Sequence, residues 1–138
     1  MRISTRVRYG LRFLVALSGF FGNHTPVKLG DVAEKEHLFA PYLHQIALAL
    51  EAKGFVKSVG TGEKGYCLSR SPESITVLDV VQALEGPIHS AECLADPYRC
   101  SFLTSCSIEK LWEETAKCLE GLSASTTLKD LVERREEL

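Results

Sequence analysis

Residues 29–68 read LGDVAEKEHLFAPYLHQIALALEAKGFVKSVGTGEKGYCL. Leu29, Val32 and Ala33 give the inward face of a short helix, and His37 to Ala40 a tight connection. Pro41 suits the start of a second helix and Gly54 its end, because proline fits the first helical turn and glycine accepts the left-handed closing conformation. Between them Leu43, Ile46, Ala47 and Leu50 recur at i, i+3, i+4 and i+7, which buries one face and leaves Tyr42, His44 and Gln45 outward at the N-terminal end. Two short helices joined by a tight turn, the second with polar side chains at its start, predict a helix-turn-helix. Phe55 to Val59 then reads as a strand, Gly60, Gly62 and Gly65 as a turn around Glu63 and Lys64, and Tyr66 to Leu68 as the return. A hairpin placed after a recognition helix is a wing.

Upstream, Ser4 to Phe21 is patterned as a helix: Val7, Leu11, Leu14 and Ser18 share a face that Leu17 and Phe21 extend, and Ser4 or Thr5 can cap it. Arg2, Arg6, Arg8 and Arg12 lie along its first half, placed for phosphate contact or for a solvated face. Gly22 to Lys28, with Asn23 and Pro26, reads as a turn. Downstream, Thr76 to Glu85 is a compact helix stopped by Gly86 and Pro87. From Ile108 an apolar stripe of Leu111, Trp112, Thr115, Leu119 and Leu122 continues for about four helical turns. Leu128, Leu131 and Val132 mark a last short amphipathic helix. The fold class expected is mainly α with a small β wing: a winged helix-turn-helix domain plus a long C-terminal dimerisation helix. The boundaries expected are 1–86 for the DNA-binding region, 87–107 for a cysteine cluster-binding loop and 108–138 for the dimerisation helix and tail.

Charge divides along the same line. The 138 residues sum to a formal −2, but residues 1–70 hold ten Lys or Arg against five Asp or Glu, and residues 71–138 hold six against thirteen. A basic N-terminal half points to nucleic acid, with Arg2, Arg6, Arg8, Lys28, Lys57, Ser58 and Lys64 as candidate backbone contacts and Tyr42, His44 and Gln45 as candidate base readers. A long helix with an apolar stripe needs a partner, and two-fold symmetry for a palindromic operator makes a homodimer the economical one. No apolar run reaches the ~20 residues that span a bilayer, and no secretory signal is apparent, which places the chain in the cytoplasm and off the membrane. The histidines are scattered, and neither a nucleophile triad nor a phosphate loop is apparent, so no enzyme is expected.

Residues 93–106 read CLADPYRCSFLTSC. Five cysteines without an export signal argue against a disulfide framework. The spacing C-x6-C-x5-C is neither a zinc knuckle nor a ferredoxin run, and it leaves metal or cluster ligation and buried or redox-active thiols both open. Cys67 reads as a small core residue of the wing, and Cys118 as part of the long helix's contact.

Nearly end to end the chain resembles the bacterial winged-helix regulators that include IscR, NsrR and RirA. The resemblance is carried by MRISTRVRYGLR, PYLHQI, GFVKSVGTGEKGY, ITVLDVVQALEG, the three cysteines, LWEE and TTLKDL. It implies a homodimeric transcription factor, with Cys93, Cys100 and Cys106 holding a 2Fe-2S or 4Fe-4S iron-sulfur cluster that senses iron, cluster supply, redox state or nitric oxide. Glu109 stands where IscR-like members have a histidine three residues after the last cysteine, and Arg8 where NsrR-like members have an acid. Glu109 is the candidate fourth ligand; an open iron site would suit a RirA-like 4Fe-4S cluster. His44 and Gly60 replace a glutamate and an arginine common in IscR-type members, so the operator is expected to differ from theirs. A same-fold thiol switch without a cluster, and a metal-stabilised protein-docking module, are the alternatives.

Overall fold

The structure is a computed structural model that describes residues 2–96, 98, 100–102 and 105–137. Met1, Pro97, Arg99, Leu103, Thr104 and Leu138 lie outside the described residues, so the centre of CLADPYRCSFLTSC is only partly described.

Helix α1 spans Thr5–Ser18, and the Ser4 hydroxyl accepts from the Val7 N–H at 3.1 Å, as the capping reading expects. Its buried side is wider than the sequence stripe: Val7, Phe13, Leu14 and Leu17 are buried, and Leu11 and Ser18 only half-buried. Gly10 lets the helix lie close to its neighbours, since a Cβ there would stand 2.6 Å from Leu84 Cδ1. Helices α2 (Leu29–Lys35) and α3 (Ala40–Ala52) form the helix-turn-helix. His37 turns the corner between them with φ 53, in the left-handed region. Gly54, at φ 78, closes α3: its N–H donates to Glu51 O and that of Phe55 to Leu50 O, which satisfies two otherwise orphaned carbonyls.

Strands β2 (Val56–Val59) and β3 (Gly65–Leu68) form the expected wing, with Ser58 opposite Tyr66. One expectation is corrected. Within Gly22 to Lys28, read as a turn, Val27–Lys28 is a strand, β1, which pairs antiparallel with β3 and gives the sheet order β1-β3-β2. Gly65 permits this edge, because a Cβ there would meet Pro26 Cβ at 2.6 Å. Phe13 packs edge-to-face on Tyr66, centroids 5.7 Å apart, fixing the sheet to α1.

Helices α4 (Val77–Glu85) and α7 (Leu128–Glu136) open on the same device, a T-x-x-D capping box, at Thr76 with Asp79 and at Thr127 with Asp130. The two capping threonines face each other as an antiparallel bridge, and Val77 N–H donates to Thr126 O and Leu128 N–H to Ile75 O. This strap returns the chain to the winged-helix core: α7 lies on α1, and Leu128 is fully buried. Between the strapped helices run a short helix α5 (Glu92–Ala95) and the long α6 (Glu109–Ser125), which packs along α4. Among the described residues no helix is long and apolar enough to cross a membrane.

Candidate functional site

Helix α3 owes its orientation to the buried set Leu43, Ile46, Ala47 and Leu50, which packs against α1, α2 and α4. That burial leaves Pro41, His44, Gln45 and Leu48 exposed on the opposite face. Tyr42 lies on the flank between the two, half-buried and edge-to-face with Tyr9 of α1 at 5.7 Å. The other flank is Glu51. Its Oε1 accepts from Ser58 twice, from the hydroxyl at 2.7 Å and from the N–H at 2.9 Å. These bonds, the hydroxyl's foremost, hold the Glu51 carboxyl below the usual carboxylate range. Glu51 thereby sets the wing against α3, a role no sequence pattern marked, since the two partners stand seven residues apart on different elements.

The cations are distributed around this face. Arg2, Arg6 and Arg8 are exposed on and before α1, and Lys57 and Lys64 are exposed on the wing. Lys28 is exposed on β1 but reaches the wing tip, donating to Glu63 Oε2 at 2.8 Å, and this bond pushes its ammonium above the ordinary lysine range. Arg12 differs from the other α1 arginines. Its guanidinium donates to the backbone O of Glu36 at 2.7 Å and to the carboxylate at 3.3 Å.

Cys93 lies in α5, Cys100 and Cys106 follow it before α6, and all three are half-buried. Glu109, the first residue of α6, is half-buried one turn beyond Cys106. Ser90 donates to the Trp112 carbonyl and ties the start of this segment to α6. Cys67 is half-exposed with its thiol 3.8 Å from the His24 carbonyl, and Cys118 is exposed on α6. Among the described residues all five cysteines are free, and no three His, Cys, Asp or Glu side chains are gathered closely enough to hold a metal ion. Three free thiols are the right donors for iron-sulfur chemistry, and the segment has to draw together to offer them to one centre. At the cap of α6 Ile108 is exposed, and along the helix so are Leu111, Cys118, Leu119 and Leu122, Leu122 by 65%.

A family described as "Rrf2: Iron-dependent Transcriptional regulator" matches residues 3–134. Among curated relatives, the HTH-type transcriptional regulator CymR of Bacillus subtilis is 34% identical over 131 residues, 95% of this chain and 89% of CymR. The regulator IscR of Klebsiella pneumoniae is 30% identical over 138 residues, 99% of this chain and 82% of IscR. Among solved structures, CymR, the global cysteine regulator of B. subtilis, superposes with a TM-score of 0.79 at 34% identity, covering 97% of this chain and 98% of CymR. IscR from T. potens also superposes with a TM-score of 0.79, at 32% identity, covering 99% of this chain and 90% of that one.

Proposed function

Since the chain belongs to the Rrf2 family of transcriptional regulators, we propose that it acts as a homodimer whose paired α3 helices and wings bind a palindromic operator, and that Cys93, Cys100 and Cys106 hold an iron-sulfur cluster that controls this binding. The observation that carries the second part is one of placement. Three free, half-buried thiols sit between α4 and α6, immediately before a helix whose exposed apolar side suits a second copy. The family's description as iron-dependent supports the same reading.

In this reading Glu109 is the candidate fourth ligand, and when bound the cluster supplies a redox- and iron-sensitive centre. The chain's own residues transmit its state. Ser90 couples the segment to Trp112, and Cys106 leads directly into α6, so drawing the thiols together moves the N-terminal end of α6. The strap at Thr126 and Thr127 holds the other end to the winged-helix core. A shift of α6 in each subunit then alters the relative position of the two α3 helices and their fit to the half-sites. Affinity comes chiefly from Arg2, Arg6, Arg8, Lys57 and Lys64 on phosphates, and specificity from His44 and Gln45, with Tyr42 at the flank and Lys28 and Ser58 supporting the wing.

A second reading is favoured by one observation: the fold is shared with CymR, named a global cysteine regulator. In this second reading Cys93, Cys100 and Cys106 of this chain act as a cluster-free thiol switch in the cytoplasm. Purification without oxygen, with iron, sulfide and visible spectrum recorded, decides between them. The cluster reading expects colour and iron that disappear in Cys93→Ser, Cys100→Ser and Cys106→Ser but persist in Cys67→Ser and Cys118→Ser. A colourless, iron-free wild type after anaerobic reconstitution removes the cluster reading in favour of the thiol switch. Matching spectra and cluster lifetimes in wild type and Glu109→Ala remove Glu109 from the ligand set.

A further inference from the structure

The outward face of α3 is unusual in what it lacks. Among the described residues of α3 the one charged side chain is Glu51, and it is bonded to Ser58 of the wing rather than turned outward. What remains is His44 and Gln45 between two large apolar side chains, Leu48 at 48% exposure and Phe39 at 67%. Phe39 is the residue that caps α3, with φ −73 and ψ 108, a position where serine, threonine, aspartate or asparagine would accept a hydrogen bond from the first turn. Its side chain makes no such bond, so the position forgoes capping and leaves a ring in water. Neither choice helps the fold.

A ligand for the ring is implied by where it stands. In a helix-turn-helix the N-terminal residues of the second helix meet base edges in the major groove. The apolar group that the groove offers there is the C5 methyl of thymine. We propose that Phe39 is a specificity-determining residue that reads thymine by packing its ring on that methyl, while His44 and Gln45 supply the hydrogen-bonded part of the code. The inference rests on the operator-binding reading above and adds to it the base read at the start of α3.

The test uses the full-length dimer and an operator it selects from a randomised duplex library, compared with the same duplex carrying deoxyuridine for thymidine, which removes only methyl groups. Wild type loses about fourfold in affinity for the methyl of one half-site and about fifteenfold for both, as burial of one carbon implies. Phe39→Ser, which places a good capping residue at an exposed position and so keeps the fold, binds both duplexes alike. Equal binding of the two duplexes by wild type overturns the proposal, as does a Phe39→Ser protein that keeps the full discrimination. Failure to select any duplex at low salt, with or without reconstituted iron, overturns operator binding itself and this proposal with it.

Discussion

Arg135, near the end of α7, donates to Oε1 of Glu36 at 2.7 Å across 99 residues of chain. Glu36 is 6% exposed where α2 ends, and Arg12 of α1 approaches its other oxygen, Oε2, at 3.3 Å. One buried carboxylate therefore joins the helix that leads into the recognition turn to the first and last helices. Its charge is tolerable because two guanidinium groups meet it.

Removing that carboxylate is the more costly change. Glu36→Ala is expected to lower unfolding free energy by about 2 kcal/mol, through the lost charged hydrogen bonds to both arginines, Arg12 keeping only its bond to the backbone O of residue 36. Arg135→Ala should cost only about 0.5–1 kcal/mol, since this arginine is half-exposed and solvent screens it. Urea unfolding of the three proteins measures the order. Equal costs would mean that the approach of Arg12 to the Glu36 carboxylate contributes nothing measurable.

Glu51 tests whether the wing needs a fixed angle. Glu51→Gln keeps one acceptor but loses the charge that favours both bonds from Ser58, so the wing loosens while the core is untouched. The expected result is a several-fold loss of operator affinity with only a small drop in thermal midpoint, read by fluorescence anisotropy and by calorimetry on the same preparation.

Lys28 and Glu63 predict opposite effects on salt dependence. Lys57→Ala or Lys64→Ala should each reduce the slope of log affinity against log salt by about one per subunit. Lys28→Ala should change it less, because Glu63 already neutralises that ammonium. Glu63→Gln frees Lys28 and is expected to raise affinity and steepen the slope. A binding series from low to moderate salt distinguishes the four variants.

Asp130 predicts a pH dependence of stability. Bonds from Thr127, the backbone N–H foremost, hold its carboxyl below the usual range. A depressed carboxyl stabilises the fold above its unfolded pKa of about 3.9 and loses that contribution as pH falls through its lower folded value. The gap in urea midpoint between wild type and Asp130→Asn should hold steady from neutral pH to about pH 5, then close in stronger acid. A gap that widens on acidification would reverse the sign assigned here.

The helix-turn-helix and the wing were legible because each is written in a local period. Leu43, Ile46, Ala47 and Leu50 announce the buried side of α3, and the glycines at 60 and 62 occur at positive φ as a turn demands. Strand β1 was not legible, since two residues carry no alternation and their partner is β3, almost forty positions later. Phe13 was overlooked for a related reason: the stripe drawn through Val7, Leu11 and Leu14 follows one narrow face, whereas α1 is packed on several sides by α3, α4, α7 and the sheet. The outward placement of His44 and Gln45 was legible too, from the same period. The Glu36 ion cluster and the bond from Glu51 to the wing join residues whose proximity exists only after folding.

The strap from Thr126 to Leu128 bears on how the molecule can be dissected. A fragment ending at Gly86 would keep every residue of the helix-turn-helix and wing, yet it would lose the fully buried Leu128 and the Arg135 partner of Glu36. An emptied Leu site costs about 2–5 kcal/mol, a large share of a small domain's stability. The last helix is thus part of the winged-helix core itself, and cutting the chain in two would hollow out the half that carries the helix-turn-helix.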